Sequence, residues 1–170
     1  CILKTLAGQI SKEKPLFLKI AYNGPKAMEE LASYDPGNLI IGILGGGKGT
    51  SRDCFELLRQ ACKYGARVAL FGRKVNLSEN QLIIIQTMRK VIENNLRSEE
   101  AVKIYHDELL KEGLQPDRDI DKDSQLTDPT LKMWMSQSVL AGFDIGTSKI
   151  RCILYNIHGK ILISYDHKTP

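Results

Sequence analysis

The chain has 170 residues, of which 42% are hydrophobic and 26% charged, and its formal net charge is +4 at pH 7. These proportions are ordinary for a globular protein, and the small, dispersed positive charge argues against nucleic acid as a partner. No apolar stretch is as long as a membrane span, and the first residues lack the layout of a signal peptide. We therefore expect no membrane partner and a cytoplasmic location.

Three short apolar runs alternate with helical patterns in the first part of the chain. The predicted strands are 16–21, 39–44 and 66–71. Thr50 with Asp53, and Ser78 with Gln81, have the spacing of capping boxes and predict two helix starts, while Gly65 is expected to end the first of these helices. Alternation of apolar strands with helices predicts an α/β fold with a parallel sheet covered by helices.

A further helix is predicted from Ser98 to about Gly113, and the chain then becomes polar and acidic. Four aspartates alternate in this stretch: Asp117, Asp119, Asp121 and Asp123. Alternate aspartates also occur in calcium loops, but such a loop needs glycine at the sixth position, where this chain has Lys122. We therefore predict a solvated linker over 115–135.

Beyond this linker the pattern predicts antiparallel strands. Apolar runs at 139–144 and 150–155 are followed by a turn at 156–159 and a third run at 160–165. Short connections between strands are typical of hairpins. The sequence therefore indicates a second structural unit over 136–170.

Lys19 lies in the middle of the first apolar strand. Burying its charge is costly unless the amine is paired or neutral, so burial is expected to lower its pKa. A neutral lysine amine can attack a carbonyl group and form a Schiff base. Two structural alternatives stay open: the side chain reaches solvent at the strand end, or it forms an ion pair.

Glycines follow the second and third predicted strands. Gly45, Gly46 and Gly47 come after the second strand, and Gly72 with Arg73 after the third. Small residues at strand ends let backbone N–H groups approach an anion, and an arginine adds a fixed cation, so these residues predict a phosphate site. The run from Gly42 to Lys48 also matches the G-x-x-x-x-G-K motif of a P-loop, but Gly49 stands where a serine or threonine should coordinate magnesium.

The order of these three signals resembles the C-terminal part of class I, Schiff-base aldolases of the deoxyribose-phosphate, tagatose-bisphosphate and archaeal-type fructose-bisphosphate aldolase group. The resemblance covers about 15–92, with Lys19 at the place of the catalytic lysine, and it departs from the family at Lys74, where asparagine is frequent. It implies the last three βα units and C-terminal helix of a (β/α)8 TIM barrel. It also implies a lyase acting on a phosphorylated sugar without a cofactor, and a homo-oligomeric full-length enzyme. We expect the chain to be inactive alone, because the acid and base residues belong to earlier strands.

The second signature comprises Asp144, Gly146, Thr147 and Ser148. Glycine permits close approach of a ligand, the hydroxyls can donate to phosphate oxygens, and the carboxylate can orient magnesium-bound water. An ordinary hairpin turn is the structural alternative. The segment 136–170 resembles the start of FGGY-type carbohydrate kinases, which implies the first strands of an actin-like ATPase (ribonuclease H-like) domain. The resemblance also implies ATP and Mg²⁺ as ligands, with Asp144 at the Mg²⁺ site.

These predictions divide the chain into an aldolase-like portion at 1–114, a linker at 115–135 and a truncated kinase-like portion at 136–170. The leading functional hypothesis is a lyase fragment that uses Lys19 to form or break a carbon–carbon bond in a sugar phosphate. One alternative is an ATP-dependent carbohydrate kinase represented only by its first phosphate loop. Another is a module that binds a sugar phosphate without catalysis.

Overall fold

The computed structural model describes residues 2–10, 12–136, 139–145, 149–156 and 161–168. The chain forms two compact units, 1–131 and 132–170, which are described separately below. Within the described ranges, no helix has both the length and the apolar character needed to cross a membrane.

The first unit alternates strands and helices. Its strands are Phe17–Ile20 (β1), Ile40–Leu44 (β2) and Val68–Leu70 (β3). Its helices are Ile2–Ala7 (α1), Pro25–Ala32 (α2), Ser51–Lys63 (α3), Gly72–Asn76 (α4), Gln81–Glu93 (α5), Ser98–Lys111 (α6) and Ile120–Asp123 (α7). Helix α8, Pro129–Ser136, crosses the boundary at which the second unit begins.

The first sheet confirms the predicted parallel arrangement. Its strands are parallel in the order β1-β2-β3, with Lys19 opposite Gly42 and Ile43 opposite Ala69. Helices α3, α5 and α6 pack against one another, and buried side chains of β2 join their core. The α/β class predicted from alternation of strands and helices is therefore correct.

Two of the predicted helix boundaries are confirmed and one is wrong. The Thr50 hydroxyl accepts the Asp53 amide and the Asp53 carboxylate accepts the Thr50 amide, which forms the capping box that begins α3. Gly65, with φ of 101°, follows the end of α3. Helix α5 is capped by Asn80 instead of Ser78, because the Asn80 side chain accepts the amides of its first turn.

Residues 117–128, which we call the strap, belong to the predicted solvated linker; Asp117, Asp119 and Asp121 are exposed as expected, but Asp123 is not. Asp123 is only 2% exposed, and Leu131, just beyond the strap, is buried in the core of the first unit. The aspartate-rich composition suggested full hydration, but Asp123 accepts a hydrogen bond from the backbone amide of Ser51 at 2.9 Å. A polar segment can thus pack when donors elsewhere satisfy its carboxylates.

The second unit contains a three-stranded antiparallel sheet, which confirms the predicted strand pairing. Its strands are Val139–Ile145 (β4), Lys149–Asn156 (β5) and Ile161–Lys168 (β6), in the order β4-β5-β6. The predicted turn at 156–159 lies outside the described residues except for Asn156, the last residue of β5.

Candidate functional site

Lys19 lies on the face of the first sheet that is turned away from the helices. Successive residues of a strand point to opposite faces, and Leu18 and Ile20 pack against the hydrophobic core while Phe17 and Lys19 are exposed. Lys19 shares its face with several apolar side chains. We call this surface the open face: Phe17, Lys19, Ile40, Leu44 and Val68.

The exposure of Lys19 corrects one sequence-based expectation. The lysine was expected to be buried in an apolar strand, with solvent exposure left open as an alternative, and the structure shows the exposed arrangement. The apolar run predicted burial on both faces, but the helices cover only the face to which Leu18 and Ile20 belong. The expectation that desolvation activates this amine therefore has no support from its burial.

Gly42 gives the open face its shape next to Lys19. A Cβ atom on Gly42 would lie 2.6 Å from the Phe17 ring and 3.1 Å from a Leu70 methyl group. The Phe17 ring can therefore lie across β2 only because position 42 has no side chain. Phe17 and Lys19, two residues apart on β1, lie on the same face of the sheet, and Gly42 is opposite Lys19.

Gly45 brings the loops after β2 and β3 into contact. Its amide donates to the carbonyl of Leu70 at 3.4 Å, and an added Cβ would lie 2.9 Å from the Phe71 ring. A larger side chain would separate the two strand ends. Gly45 therefore uses its amide within the chain and has a structural role, in contrast to its predicted place among the phosphate ligands.

The other predicted phosphate ligands are exposed on these two loops. Gly46 has φ of 68°, and neither its amide nor that of Gly47 finds an acceptor within the described part of the chain. Gly72 and Arg73 form the first turn of α4, which has no side-chain cap. The structure therefore places backbone donors and a guanidinium on adjacent loops at the carboxyl ends of parallel strands.

Two lysines lie next to the loop Gly45–Gly47, which we call the glycine loop. Lys48 directly follows Gly47, and Lys74 is in α4; the sequence predicted the contacts of neither. The Lys48 amine pairs with Asp117 of the strap at 2.5 Å. The Lys74 side chain is buried, and its amine donates to the backbone carbonyl of Lys48 at 3.2 Å. The one sequence signal at position 74 was a departure from the aldolase resemblance: this chain has lysine where those aldolases frequently have asparagine.

The start of α3 is already occupied by carboxylates of the chain itself, which disfavours the P-loop alternative. The Ser51 amide donates to Asp123, the Thr50 amide donates to Asp53, and the Lys48 amine is paired with the strap. A P-loop uses the corresponding amides and lysine to hold phosphates. Here these groups stabilise the fold.

Asp53 is a buried carboxylate at the junction of α3 and the strap. It accepts backbone amides of Thr50 at 3.1 Å, Thr127 at 2.7 Å and Asp128 at 3.1 Å, and also the Thr127 hydroxyl. Burial alone would raise the pKa of Asp53, but the hydrogen bonds outweigh it and hold the pKa below its ordinary value. The ionised form therefore stabilises the folded state.

Asp123 is a second buried carboxylate at the junction of α3 and the strap, and it belongs to the strap. It accepts the Ser51 amide and lies 2.9 Å from Nε2 of the buried His106. Burial acts to raise the pKa of Asp123, but the hydrogen bonds from Ser51 and His106 are together stronger and lower it. The pair of Asp123 and His106 has no local signature in the sequence, because the two residues are 17 positions apart.

Tyr22, which follows β1, belongs to the core. Its side chain is buried, and the hydroxyl donates to Gln60 at 3.0 Å. Burial raises the pKa of the Tyr22 phenol well above its ordinary value. This tyrosine supports the packing of α3 behind the sheet.

The kinase-like residues are described only in part. Asp144 belongs to β4 and is opposite Arg151 of β5 in the antiparallel register. Gly146, Thr147 and Ser148 lie outside the described residues. The strands on either side of the predicted phosphate loop are thus established by the structure, and the loop itself stays a prediction.

Comparison with known proteins adds no family assignment to this geometry. No family model matches the chain, and a search of curated proteins found no match to it. The functional conclusions below therefore depend on the residues of the site.

Proposed function

We propose that the first unit is part of a (β/α)8 barrel of the Schiff-base aldolase type, in which Lys19 is the nucleophile. Its substrate would be an aldehyde or ketose phosphate. The amides of Gly46 and Gly47 in the glycine loop Gly45–Gly47, together with the Gly72–Arg73 turn, would hold the phosphate group, and the full-length enzyme would be a homo-oligomer. No cofactor is required for this chemistry, because the lysine amine itself forms the covalent intermediate.

The observation that carries the proposal is the contact between the two glycine-containing loops. Because Gly45 packs against Phe71, the amides of Gly46 and Gly47 and the Arg73 side chain belong to neighbouring loops. Backbone N–H groups and a guanidinium are both suited to phosphate oxygens. One phosphate group could therefore be bound from both sides.

Lys19 is available for reaction with a carbonyl group. Within the described residues its amine has neither a hydrogen bond nor an ion pair, and its side chain is exposed on the open face. Lys19 is opposite Gly42, which is three residues, or roughly 10 Å of extended strand, before Gly45. This separation is comparable to the length of a small sugar phosphate, which favours an arrangement with the phosphate at the loops and the carbonyl at Lys19.

The proposed reaction begins when the neutral Lys19 amine attacks the substrate carbonyl carbon. Loss of water gives an iminium ion. A base then takes the proton of the β-hydroxyl group, the bond between the α and β carbons breaks, its electron pair forms the enamine, and the β carbon leaves as an aldehyde. Protonation and hydrolysis of the remaining enamine then release the second product and regenerate Lys19. The phosphate loops contribute by orienting the carbonyl toward the amine.

Reductive trapping tests this function. The chain is incubated with a ketose or aldehyde phosphate and borohydride, and peptide mass spectrometry measures adducts at each lysine. We expect the adduct on Lys19 to exceed that on Lys26, an exposed lysine of α2 that serves as the matched control. Equal modification of both lysines would refute a specific Schiff-base site.

The non-catalytic alternative gives a different result in the same experiment. A module that only binds a sugar phosphate would retain phosphate affinity in the Lys19→Ala variant and would show no preferential adduct on Lys19. A lyase site would also keep phosphate affinity in Lys19→Ala, but it would show the preferential adduct on Lys19 in the wild-type chain.

We propose separately that the second unit is the start of a carbohydrate kinase that uses ATP and Mg²⁺. The supporting observation is the antiparallel pairing of β4 and β5 around 146–148, with Asp144 at the loop end of β4. The test is Mg²⁺-dependent ATP binding by a chain extended beyond residue 170. The Asp144→Asn variant is expected to weaken this binding, and unchanged binding would count against the proposal.

A further inference from the structure

Lys74 has an unusual environment for a lysine. Its side chain is 5% exposed, and the one hydrogen bond found for its amine within the described residues goes to the backbone carbonyl of Lys48 at 3.2 Å. No carboxylate of these residues is within ion-pair distance of the amine. A polar group that is buried with few hydrogen-bond partners is costly, so the presence of this amine suggests a role beyond packing.

The hydrogen bond of Lys74 joins the two segments of the proposed phosphate site, the glycine loop and the Gly72–Arg73 turn. Lys74 belongs to the first turn of α4, directly after Arg73, whereas Lys48 directly follows Gly47. The bond therefore fixes one end of the Gly45–Gly47 loop relative to the turn that bears Arg73. The contact between Gly45 and Phe71 fixes the other end.

Gly46 and Gly47 need such support, because the loop itself contains few constraints. An added Cβ at either position would meet nothing within 4 Å, so the space beside these glycines is open. Glycine also loses more conformational freedom on ordering than other residues. Binding a ligand to a mobile loop would require this entropy to be lost at the same time, which weakens affinity.

We propose that Lys74 is a positioning residue that pre-organises the Gly45–Gly47 loop for anion binding. The role of the loop as a phosphate site rests on the proposed function, whereas the anchoring by Lys74 can be measured without it. The Lys48–Asp117 ion pair is a weaker anchor, because Asp117 is largely exposed and exposed ion pairs contribute little.

The test compares Lys74→Met with Asp117→Asn in the full chain. Methionine keeps the apolar stem of Lys74 and removes the amine, so the fold is not expected to lose stability. We expect ¹⁵N relaxation to show the order parameters of the Gly46 and Gly47 amides falling from roughly 0.85 to below about 0.6. Asp117→Asn should leave these values nearly unchanged, as should the control Lys26→Met.

Titration with inorganic phosphate, followed by the amide shifts of Gly46 and Gly47, gives the second measurement. Affinity in Lys74→Met should fall by about tenfold, as expected when binding must order the loop. Unchanged loop order in this variant would overturn the proposal, and so would loosening spread over the whole unit together with a lower unfolding midpoint. A wild-type loop that is already mobile would overturn it without any variant.

The two measurements separate this proposal from the proposed function. If the wild-type chain binds no phosphate but Lys74→Met loosens the loop selectively, the anchor is supported and the phosphate role of the loop fails. If phosphate binds equally well to both chains and loop order is unchanged, the proposed function survives and the role of Lys74 is refuted.

Discussion

The carboxylate of Asp53 and the hydroxyl of Thr127 are hydrogen-bonded to each other although they are 74 residues apart in the sequence. This contact holds the strap against the start of α3, close to the glycine loop. A second contact near it, from the Thr50 hydroxyl to the carbonyl of Gln125 at 2.7 Å, reinforces the same junction. The strap therefore belongs to the structure of the first unit.

Replacing Asp53 with asparagine should destabilise the protein. The carboxylate accepts three backbone amides and one hydroxyl, and an amide side chain cannot accept all of them. We expect a loss of about 2–3 kcal/mol in the free energy of unfolding, since hydrogen bonds to charged groups are the stronger class. Urea denaturation measures this, with the exposed Asp107→Asn as the control. Equal stability of the two variants would contradict the assigned role of Asp53.

Acid should weaken the fold through Asp53 and Asp123. Each carboxylate has a lower pKa in the folded protein than in the unfolded chain. At a pH between its folded and unfolded pKa, the unfolded chain therefore binds more protons than the folded protein. Their stabilisation is complete above the unfolded pKa of about 3.9 and is lost as the pH falls through the folded pKa. Urea denaturation at a series of pH values from neutral to acidic measures the free energy of unfolding. Acid should lower it less in Asp53→Asn than in Asp107→Asn. Parallel pH profiles would argue against this linkage.

The glycine loop allows a matched pair of alanine substitutions. An alanine at Gly45 would place its Cβ 2.9 Å from the Phe71 ring, whereas the same atom at Gly47 meets nothing within 4 Å. We expect Gly45→Ala to lower the free energy of unfolding by about 1–3 kcal/mol, as overpacking usually does, and Gly47→Ala to leave it nearly unchanged. Equal thermal midpoints would show that the two strand ends are not in close contact.

Tyr22→Phe should affect stability and leave substrate chemistry intact. The substitution removes a buried hydroxyl that donates to Gln60, and we expect a cost of about 1 kcal/mol. Trapping of an adduct on Lys19 should be unchanged. Loss of the adduct at full stability would instead place the Tyr22 hydroxyl in the reactive site.

Local patterns predicted much of the fold. Hydrophobic periodicity located the three parallel strands, and the spacing of Thr50 and Asp53 predicted a capping box that the structure contains. Such signals depend on residues a few positions apart. The cap of α5 was misassigned to Ser78 because Asn80 offers a competing side-chain acceptor two residues later.

Long-range contacts limited the prediction of the site. The apolar neighbours of Lys19 suggested burial, but only the packing of helices on one face of the sheet determines which strand residues are covered. Likewise, Asp123 of the strap looked solvated because its partners, Ser51 and His106, are distant in sequence. The buried contact of Lys74 with Lys48 has no local signature at all.

The most direct test of the central claim is whether Lys19 and the phosphate loops act as one site. Reductive trapping is performed with a short aldehyde phosphate and with the same aldehyde lacking phosphate, in the wild-type chain and in Arg73→Ala. We predict that the phosphate group increases the Lys19 adduct by about tenfold or more in the wild type, and that Arg73→Ala removes most of this advantage, since a charged hydrogen-bond partner contributes on this scale. Equal adduct yields with and without phosphate in the wild-type chain would contradict the account.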